Sequence, residues 1–245
     1  MAEGDGYSGA GHLPNLRPER RAAHPSTLPR QRRGTTPQMV GRYPDYDVME
    51  WKDTWDPVTR RVVEQRLAPH GPLRFFQPEE LETVRAFCNT VLAQEHEPRV
   101  PVVEMIDAKM ADRQFDGYRY EDMPDDDEVW HRAMRGIDEV ARRRYGRRFA
   151  YCADAEREAI CDQFSKGVLQ GGAFESLNCK ETWSVLTRHL VSTFYSHPWA
   201  WNEIGFGGPA YPRGYMRLGE NMREPRETPE AVHDDPEREE AMPSS

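Results

Sequence analysis

Residues 75–92 read FFQPEELETVRAFCNTVL and show the clearest helical period in the chain. Pro78 suits the first helical position, and Glu79 and Glu80 bring negative charge to the positive end of the helix dipole. The apolar residues that follow share one helical face: Leu81, Val84, Cys88, Val91 and Leu92. This stretch predicts an amphipathic helix from about residue 78 to 94.

Two further helices are predicted after it. Pro101 opens a short one, and the acidic run 125–128 opens a longer one over about residues 127–145. The longer helix has an arginine-rich last turn with Gly146 directly after it, so its charges complement the dipole at both ends. The acidic run lacks the alternating ligands, central glycine and closing glutamate of a calcium loop, and we interpret it as a helix start.

The region 154–198 predicts two more helices. Asp154 suits the N-cap of the fourth helix, Gly171-Gly172 suits its end, and Pro198 closes the fifth. The apolar stripes are Ile160, Phe164 and Val168 in the fourth helix, and Trp183, Leu186, Leu190 and Phe194 in the fifth. No alternating strand pattern of five or more residues competes with these helices in the sequence. We therefore predict an all-α fold.

The expected architecture is a single helical domain of about five main helices with long ordered loops, over residues 45–219. Residues 1–44 hold six Pro, six Gly and seven Arg against three acidic residues, which predicts a disordered basic arm. Residues 220–245 hold nine acidic side chains and four Pro, which predicts a disordered acidic tail. Each terminus is either a solvated end or an arm that wraps another subunit.

Composition narrows the class of protein. A net charge of −9 argues against a nucleic-acid partner, because neutralising phosphates needs an excess of Lys and Arg. No window reaches the ~18 consecutive apolar residues of a membrane span. The four cysteines, Cys88, Cys152, Cys161 and Cys179, form no CxxC pair and no Cys-His cluster at zinc spacing. We expect no metal site and free, mostly buried thiols, although the even count also permits disulfides.

The run YSHPWAWNEIGFGGPAYPRGY, residues 195–215, differs in character from the helices. Residues 197–215 hold four Gly, three Pro and five aromatic side chains, which predicts an ordered loop that is neither helix nor strand. Its Gly205 to Ala210 portion fits the letters GxGxxA of a dinucleotide-binding loop. That loop needs a preceding strand and a following helix, whereas here a helix precedes and Pro209 and Pro212 follow. We therefore reject nucleotide binding by this run.

This closing run resembles the closing motif of the gluconate 2-dehydrogenase subunit 3 family. Upstream features match that family in the same order: the Phe75-Phe76-x-Pro-Glu-Glu helix start, the Pro98 to Pro101 break with Ile106-Asp107, the Gly146-x-x-Phe149 turn, and Phe174-x-x-Leu177 before the last helix. The resemblance covers roughly residues 72–219.

The resemblance implies a role rather than a reaction. Proteins of this family are small subunits of membrane-associated or periplasmic dehydrogenases, and their catalytic partner is a glucose-methanol-choline type flavoprotein that oxidises sugars, sugar acids or polyols. The resemblance thus places FAD in the partner, no cofactor in this chain, and a cytochrome c subunit as a further partner. The small subunit stabilises, matures and escorts or anchors the large one. No Ser-His-Asp order, HExxH motif or phosphate loop occurs in the sequence, so we expect no catalytic residue and an accessory subunit.

The expected compartment follows from the N-terminal arginines. Members of the family often carry a twin-arginine export signal. Here neither Arg20-Arg21 nor Arg32-Arg33 is followed by an apolar segment, so we predict no signal peptide and expect a cytoplasmic complex. A periplasmic or membrane-associated complex is the alternative.

Eight residues of the closing run are candidate partner-interface residues: His197, Trp199, Trp201, Asn202, Phe206, Tyr211, Arg213 and Tyr215. Their aromatic side chains belong either to the core of this domain or to the interface, because aromatics are frequent in both. Arg213 is the preferred exposed anchor, and His197 is interpreted as a structural or interface histidine. Two alternative functions stay open: closing-run residues that complete a substrate site across the interface, and a free-standing enzyme or regulator.

Overall fold

The computed structural model describes residues 46–68, 70–94, 99–115, 117, 120, 123–212 and 214. The basic arm predicted at 1–44 and the acidic tail predicted at 220–245 lie outside these residues, as do Arg213 and Tyr215 of the closing run.

The described residues form seven α-helices and three 3₁₀ helices, and no strand occurs among them. The α-helices are α1 Pro57–Leu67, α2 Pro78–Leu92, α3 Val102–Ala111, α4 Asp126–Tyr145, α5 Asp154–Ser165, α6 Cys179–Phe194 and α7 Pro198–Ile204. The 3₁₀ helices are Val48–Thr54, Phe149–Tyr151 and Gly172–Glu175. The predicted all-α class is confirmed, and the five predicted helices are present as α2 to α6.

The predicted end of the fourth helix at Gly171-Gly172 is wrong. Helix α5 stops at Ser165, because Gly167 adopts a left-handed backbone (φ 71°) and the N–H of Val168 closes the end on the Gln163 carbonyl at 3.1 Å. The Val168 side chain is 53% exposed and lies outside the apolar stripe. At the other end, Asp154 is the first helical residue rather than the cap.

Helix α7 contradicts the prediction that residues 197–215 contain no helix. Pro198 occupies its first position and His197 caps it, which is a regular helix start. The helix is only seven residues long and rich in aromatics, so no apolar period shows in the sequence. The first 3₁₀ helix and α1 lie in a region where no element is predicted from the sequence.

The main core lies between α2, α3, α4, α5 and α6. Phe87 of α2 is fully buried at the centre of this core. The centroid of its ring lies 6.1 Å from that of Phe164, 6.1 Å from that of Trp183 and 6.5 Å from that of Trp130. Other fully buried side chains belong to the same core: Ile106, Met134, Ile137, Phe149, Ile160, Leu186 and Leu190. These apolar contacts fix the five helices against one another.

A buried aspartate of α3 fixes the chain just before α2. One carboxylate oxygen of Asp107 accepts hydrogen bonds from the N–H groups of Phe75 and Phe76, each at 2.9 Å. The other oxygen accepts from the Arg74 N–H at 2.7 Å. The Phe75-Phe76 and Ile106-Asp107 parts of the family pattern therefore meet in one contact.

A second buried aspartate, Asp138 of α4, fixes the turn after that helix. Its Oδ1 accepts from the Phe149 N–H at 3.0 Å and from the Thr83 hydroxyl at 2.8 Å. Its Oδ2 accepts from Arg148 Nε at 2.7 Å. The Gly146-x-x-Phe149 turn is thereby tied to both α2 and α4.

A smaller apolar cluster joins the first elements of the chain to the closing run. Its buried members are Val48, Trp55, Val63 and Trp201, and its half-buried members are Tyr46, Met49 and Phe206. We call residues 46–67 together with residues 197–208 the clasp. The clasp lies beside the main core and has an apolar centre of its own.

All four cysteines are buried and none forms a disulfide, as predicted. Burial raises the pKa of the Cys161 thiol to about 12 and also raises that of Cys88. Within the described part of the chain, no helix combines the length and the apolar character needed to cross a bilayer.

Candidate docking site at the closing run

His197 begins helix α7 from a buried position. Its Nδ1 accepts a hydrogen bond from the N–H of Trp199 at 3.2 Å, and its side chain is 1% exposed. Burial lowers the pKa of His197 to about 4, and a hydrogen bond to the Arg66 backbone opposes this only in part. The imidazole is therefore neutral at pH 7, and its accepting nitrogen is already engaged. This geometry makes His197 a structural residue of the clasp.

Trp201 forms the centre of the clasp. Its Nε1 donates to the Tyr195 carbonyl at 2.6 Å, and its ring lies edge-to-face with Phe206 at 5.6 Å. The Arg66 guanidinium lies over the same ring at 5.7 Å, while Val63 packs in the same cluster. These contacts bind α1 to α7 and leave Trp201 only 6% exposed.

Asn202 binds the first 3₁₀ helix to α7. Its Oδ1 accepts from the Val48 N–H at 2.8 Å, and its Nδ2 donates to Asp47 Oδ1 at 3.3 Å. Tyr46 adds a hydrogen bond from its hydroxyl to the Phe206 carbonyl at 3.1 Å. Asn202 is thus a buried polar residue with both ends of its amide satisfied within the chain.

Gly208 lets two parts of the clasp approach closely. It has φ 75°, and a Cβ at this position would stand 2.7 Å from the Trp55 ring and 3.0 Å from Val48. Only glycine fits both the backbone and the space. Gly208 therefore serves close packing of the chain on itself.

The remaining candidate residues differ in exposure. Trp199 is half-buried and packs against the main core, and Phe206 is half-buried in the clasp. Tyr211 is 66% exposed. Arg213 and Tyr215 lie outside the described residues. The aromatic residues of the closing run therefore do not share one role. Trp201 is a core residue, whereas Tyr211 is exposed and available to a partner.

The closing run packs on residues 46–67, for which the sequence predicts no helix. Asp56 and Pro57 nonetheless carry a helix-start signature, since Asp56 Oδ1 accepts from the Val58 N–H at 2.9 Å and proline occupies the first helical position. The valines of α1 stand among charged residues in PVTRRVVEQRL, so no long apolar stripe marks this helix in the sequence, and in the structure only Val63 is buried.

A separate open groove of about 620 Å³ lies between α2 and α4. Its lining is mostly charged, and two of its contacts lie within the chain: Glu80 Oε1 to His131 Nδ1 at 2.7 Å, and Asp138 Oδ2 to Arg148 Nε at 2.7 Å. In the described part of the chain, no three His, Cys, Asp or Glu side chains lie together as a metal ion would require. The groove is open and holds no cluster of metal-ligating side chains among the described residues, so the closing run is the stronger candidate site.

One family of known proteins matches the chain. The family model for gluconate 2-dehydrogenase subunit 3 matches residues 78–208, slightly more than half of the 245 residues. The match begins at the first residue of α2 and ends at Gly208, so it includes one half of the clasp and leaves out the other, residues 46–67. Comparison with curated proteins and with solved structures gave no match.

Proposed function

The chain belongs to the gluconate 2-dehydrogenase subunit 3 family, and from that premise we propose that it is the accessory subunit of a flavin-dependent dehydrogenase or oxidase. The family contributes a subunit to a dehydrogenase complex, which implies an enzyme partner. The partner we propose is a glucose-methanol-choline type flavoprotein that holds FAD and oxidises a sugar, sugar acid or polyol. The chain stabilises and matures this partner, and a cytochrome c subunit is a further candidate member of the complex.

The observation that supports an accessory role is how the closing run uses its polar residues. His197, Trp201 and Asn202 direct their hydrogen bonds to the chain's own backbone and side chains. All three are buried. A catalytic site needs polar groups that are free to face a substrate. In the closing run, the polar groups of these three residues form hydrogen bonds that hold the chain's own fold. That arrangement suits a docking subunit.

The alternative in which closing-run residues complete the partner's substrate site gains less support. His197 is neutral and has its Nδ1 occupied, and both ends of the Asn202 amide are engaged. For either side chain to reach a substrate, the clasp would have to open.

Co-expression tests the proposed function. The flavoprotein that co-purifies with the tagged chain from its own cells is identified by mass spectrometry, and the two are then produced together and apart in the same host. We expect soluble, FAD-loaded flavoprotein in good yield only when the chain is present. Equal yield, flavin content and activity without the chain would refute the accessory role.

Turnover separates the accessory role from the shared-site alternative. We compare the wild-type complex with one that carries His197→Asn, since asparagine retains an N-cap acceptor. The accessory role predicts the same turnover per bound flavin once the amount of complex is matched. A large fall in kcat at matched assembly would instead place His197 in the chemistry.

A further inference from the structure

Positive charge is concentrated at the end of α4. Residues 142–148, in the last turn of this helix and the turn after it, read RRRYGRR and hold five arginines with no acidic residue. The domain as a whole is acidic, since residues 45–219 hold 23 Lys and Arg against 30 Asp and Glu. Four of the five arginines are exposed, and we call them the arginine patch: Arg142, Arg143, Arg144 and Arg147.

Two arginines of the patch are held by neutral groups of neighbouring segments. Arg143 Nη2 donates to the Gln170 carbonyl at 2.7 Å, and Arg144 Nη2 donates to Gln163 Oε1 of α5 at 2.6 Å. Among the described residues, neither side chain forms an ion pair with a carboxylate. Their charges are therefore held in place without being neutralised.

The other two arginines of the patch have little compensation either. Arg142 Nη2 lies 3.7 Å from Asp138 Oδ2, but Arg148 Nε already donates to the same oxygen at 2.7 Å. Arg147 Nε donates to the Tyr145 carbonyl at 3.2 Å, which is a neutral acceptor. A single carboxylate thus faces both Arg142 and Arg148.

The helix dipole and two further carboxylates offset this charge only in part. The end of a helix favours cations, but it is equivalent to only about half a negative elementary charge, far less than four guanidinium groups carry. Glu139 accepts from the Ala173 N–H at 3.2 Å, and Asp162 pairs with Lys166 at 2.7 Å. The patch therefore retains positive charge for an anionic partner.

The chain itself contains a segment of matching chemistry. Guanidinium groups bind carboxylates well, because their planar N–H donors match both carboxylate oxygens. Residues 234–240 read DDPEREE, with five carboxylates and one arginine in seven positions, and we call them the acidic segment. Its composition mirrors that of residues 142–148.

The acidic segment is tethered within reach of the patch. Gly214 is the last described residue, and nineteen residues separate it from Asp234. A fully extended chain of this length spans about 65 Å, several times the radius of gyration of about 15 Å expected for a domain of this size. A tether also raises the effective concentration to about the millimolar range, so a contact that is weak between separate molecules forms readily within one.

We propose that the arginine patch is the docking site of the acidic segment of the same chain. The contact consists of pairs between guanidinium groups and carboxylates at the surface. Each exposed pair is weak and is screened by salt, so several pairs act together. A segment docked in this way covers the patch and keeps other anionic molecules from it. This contact lies within one chain and does not depend on the enzyme partner proposed above.

A spin label beside the acidic segment tests this contact in the full-length chain. The four native cysteines are buried, so a nitroxide reagent is directed to the exposed thiol that Ala241→Cys introduces. The amide signals of residues 142–147 are measured by NMR before and after the nitroxide is reduced. We expect them to lose about half of their intensity or more in about 20 mM salt, and to recover in about 0.5 M salt because the charges are screened.

A neutralised patch and a matched control make the test specific. Arg142→Gln with Arg147→Gln removes two charges whose side chains contact only α4 and the turn after it. The control, Arg61→Gln with Arg113→Gln, removes two exposed arginines from α1 and from the turn after α3. We expect the patch variant to restore about half of the lost intensity or more, and the control to restore none.

Substitutions in the acidic segment give a second test, in case the patch variant folds poorly. Asp234→Asn, Asp235→Asn and Glu237→Gln lie outside the described residues. We expect this triple variant to restore the signals of residues 142–147 as well. Signals that stay broadened in it would contradict the proposed contact.

Other outcomes would also overturn the proposal. Unbroadened signals of residues 142–147 in the labelled chain would leave the patch to an anionic partner outside the chain, and broadening confined to residues 1–44 would place the acidic segment on the basic arm. Equal recovery in the patch variant and the control would mean that only net charge matters. Broadening of an isotope-labelled chain by a spin-labelled second copy would assign the contact to two molecules rather than one.

Discussion

The main core and the clasp are stabilised in different ways. In the main core, large side chains from five helices interlock, as Phe87 does between Trp130, Phe164 and Trp183. In the clasp, four buried apolar residues are supplemented by long-range polar contacts, such as Asn202 to the Val48 N–H. Segments with little buried apolar area open at lower free energy than a core. The comparison predicts that the main core sets the stability of the domain and that the clasp opens locally at a lower free energy.

The largest effect is expected in the main core. Trp130 is fully buried and donates to His189 Nδ1 at 3.0 Å. Trp130→Ala leaves a cavity and removes that donor, so we expect a loss of about 3–5 kcal/mol in the free energy of unfolding. Thermal and urea unfolding followed by circular dichroism should show all helices melting together at the lower midpoint. Trp130→Phe, which keeps most of the apolar volume, is the control and should lose less.

Trp201→Ala is the matching change in the clasp. It removes the centre of the clasp and its hydrogen bond to the Tyr195 carbonyl, at a local cost of about 3 kcal/mol. We expect amide exchange in residues 48–67 to accelerate by on the order of 100-fold, with the main unfolding midpoint nearly unchanged. If the main transition shifts as far as it does for Trp130→Ala, the clasp and core are one cooperative unit and the comparison is wrong.

Asp107→Asn tests the carboxylate that fixes residues 74–76. The carboxylate accepts three backbone hydrogen bonds, and the amide that replaces it turns a donor toward at least one N–H. We expect a loss of about 2 kcal/mol in the free energy of unfolding, measured by urea titration. Asp112→Asn is the control, because its partner Arg74 is half exposed to solvent. The control should produce no measurable change, and equal losses would contradict the role of Asp107.

A further effect is a pH dependence confined to the clasp. The pKa of His197 is about 4 in the folded chain against 6.5 for an ordinary histidine, so the opened clasp binds a proton more readily between these values. The contribution is fully present above pH 6.5, falls as the pH drops toward 4, and amounts to about 2 kcal/mol lost at pH 5. Amide exchange in residues 48–67, corrected for its intrinsic pH dependence, should accelerate accordingly.

His197→Asn is the control for this effect. Asparagine retains a side-chain acceptor at the N-cap and does not titrate in this range. The pH dependence of exchange in the clasp should shrink in this variant. An unchanged dependence would assign the titration to another group.

The sequence predicts α2 to α6 well because each has a one-sided apolar stripe and a recognisable start or stop. The stop of α4 at Gly146, for example, is a left-handed residue in the structure. The clasp escapes prediction for physical reasons. Helix α1 buries a single residue, Val63, and the contact between Val48 and Asn202 joins positions 154 residues apart. No local pattern encodes such a contact.

Local sequence pattern also predicts the candidate site only in part. The composition of the closing run indicates an ordered segment that packs on something, and it does pack, but on the chain's own residues 46–67. Identifying which aromatic residues are buried required the structure, since Trp201 and Tyr211 look equivalent in sequence and differ from 6% to 66% in exposure.

Hydrogen exchange of the chain, alone and in complex with its flavoprotein, tests the central claim most directly. The account predicts that the complex protects the clasp, while the groove between α2 and α4 exchanges as in the free chain. Protection centred on that groove, with the clasp unchanged, would contradict the account.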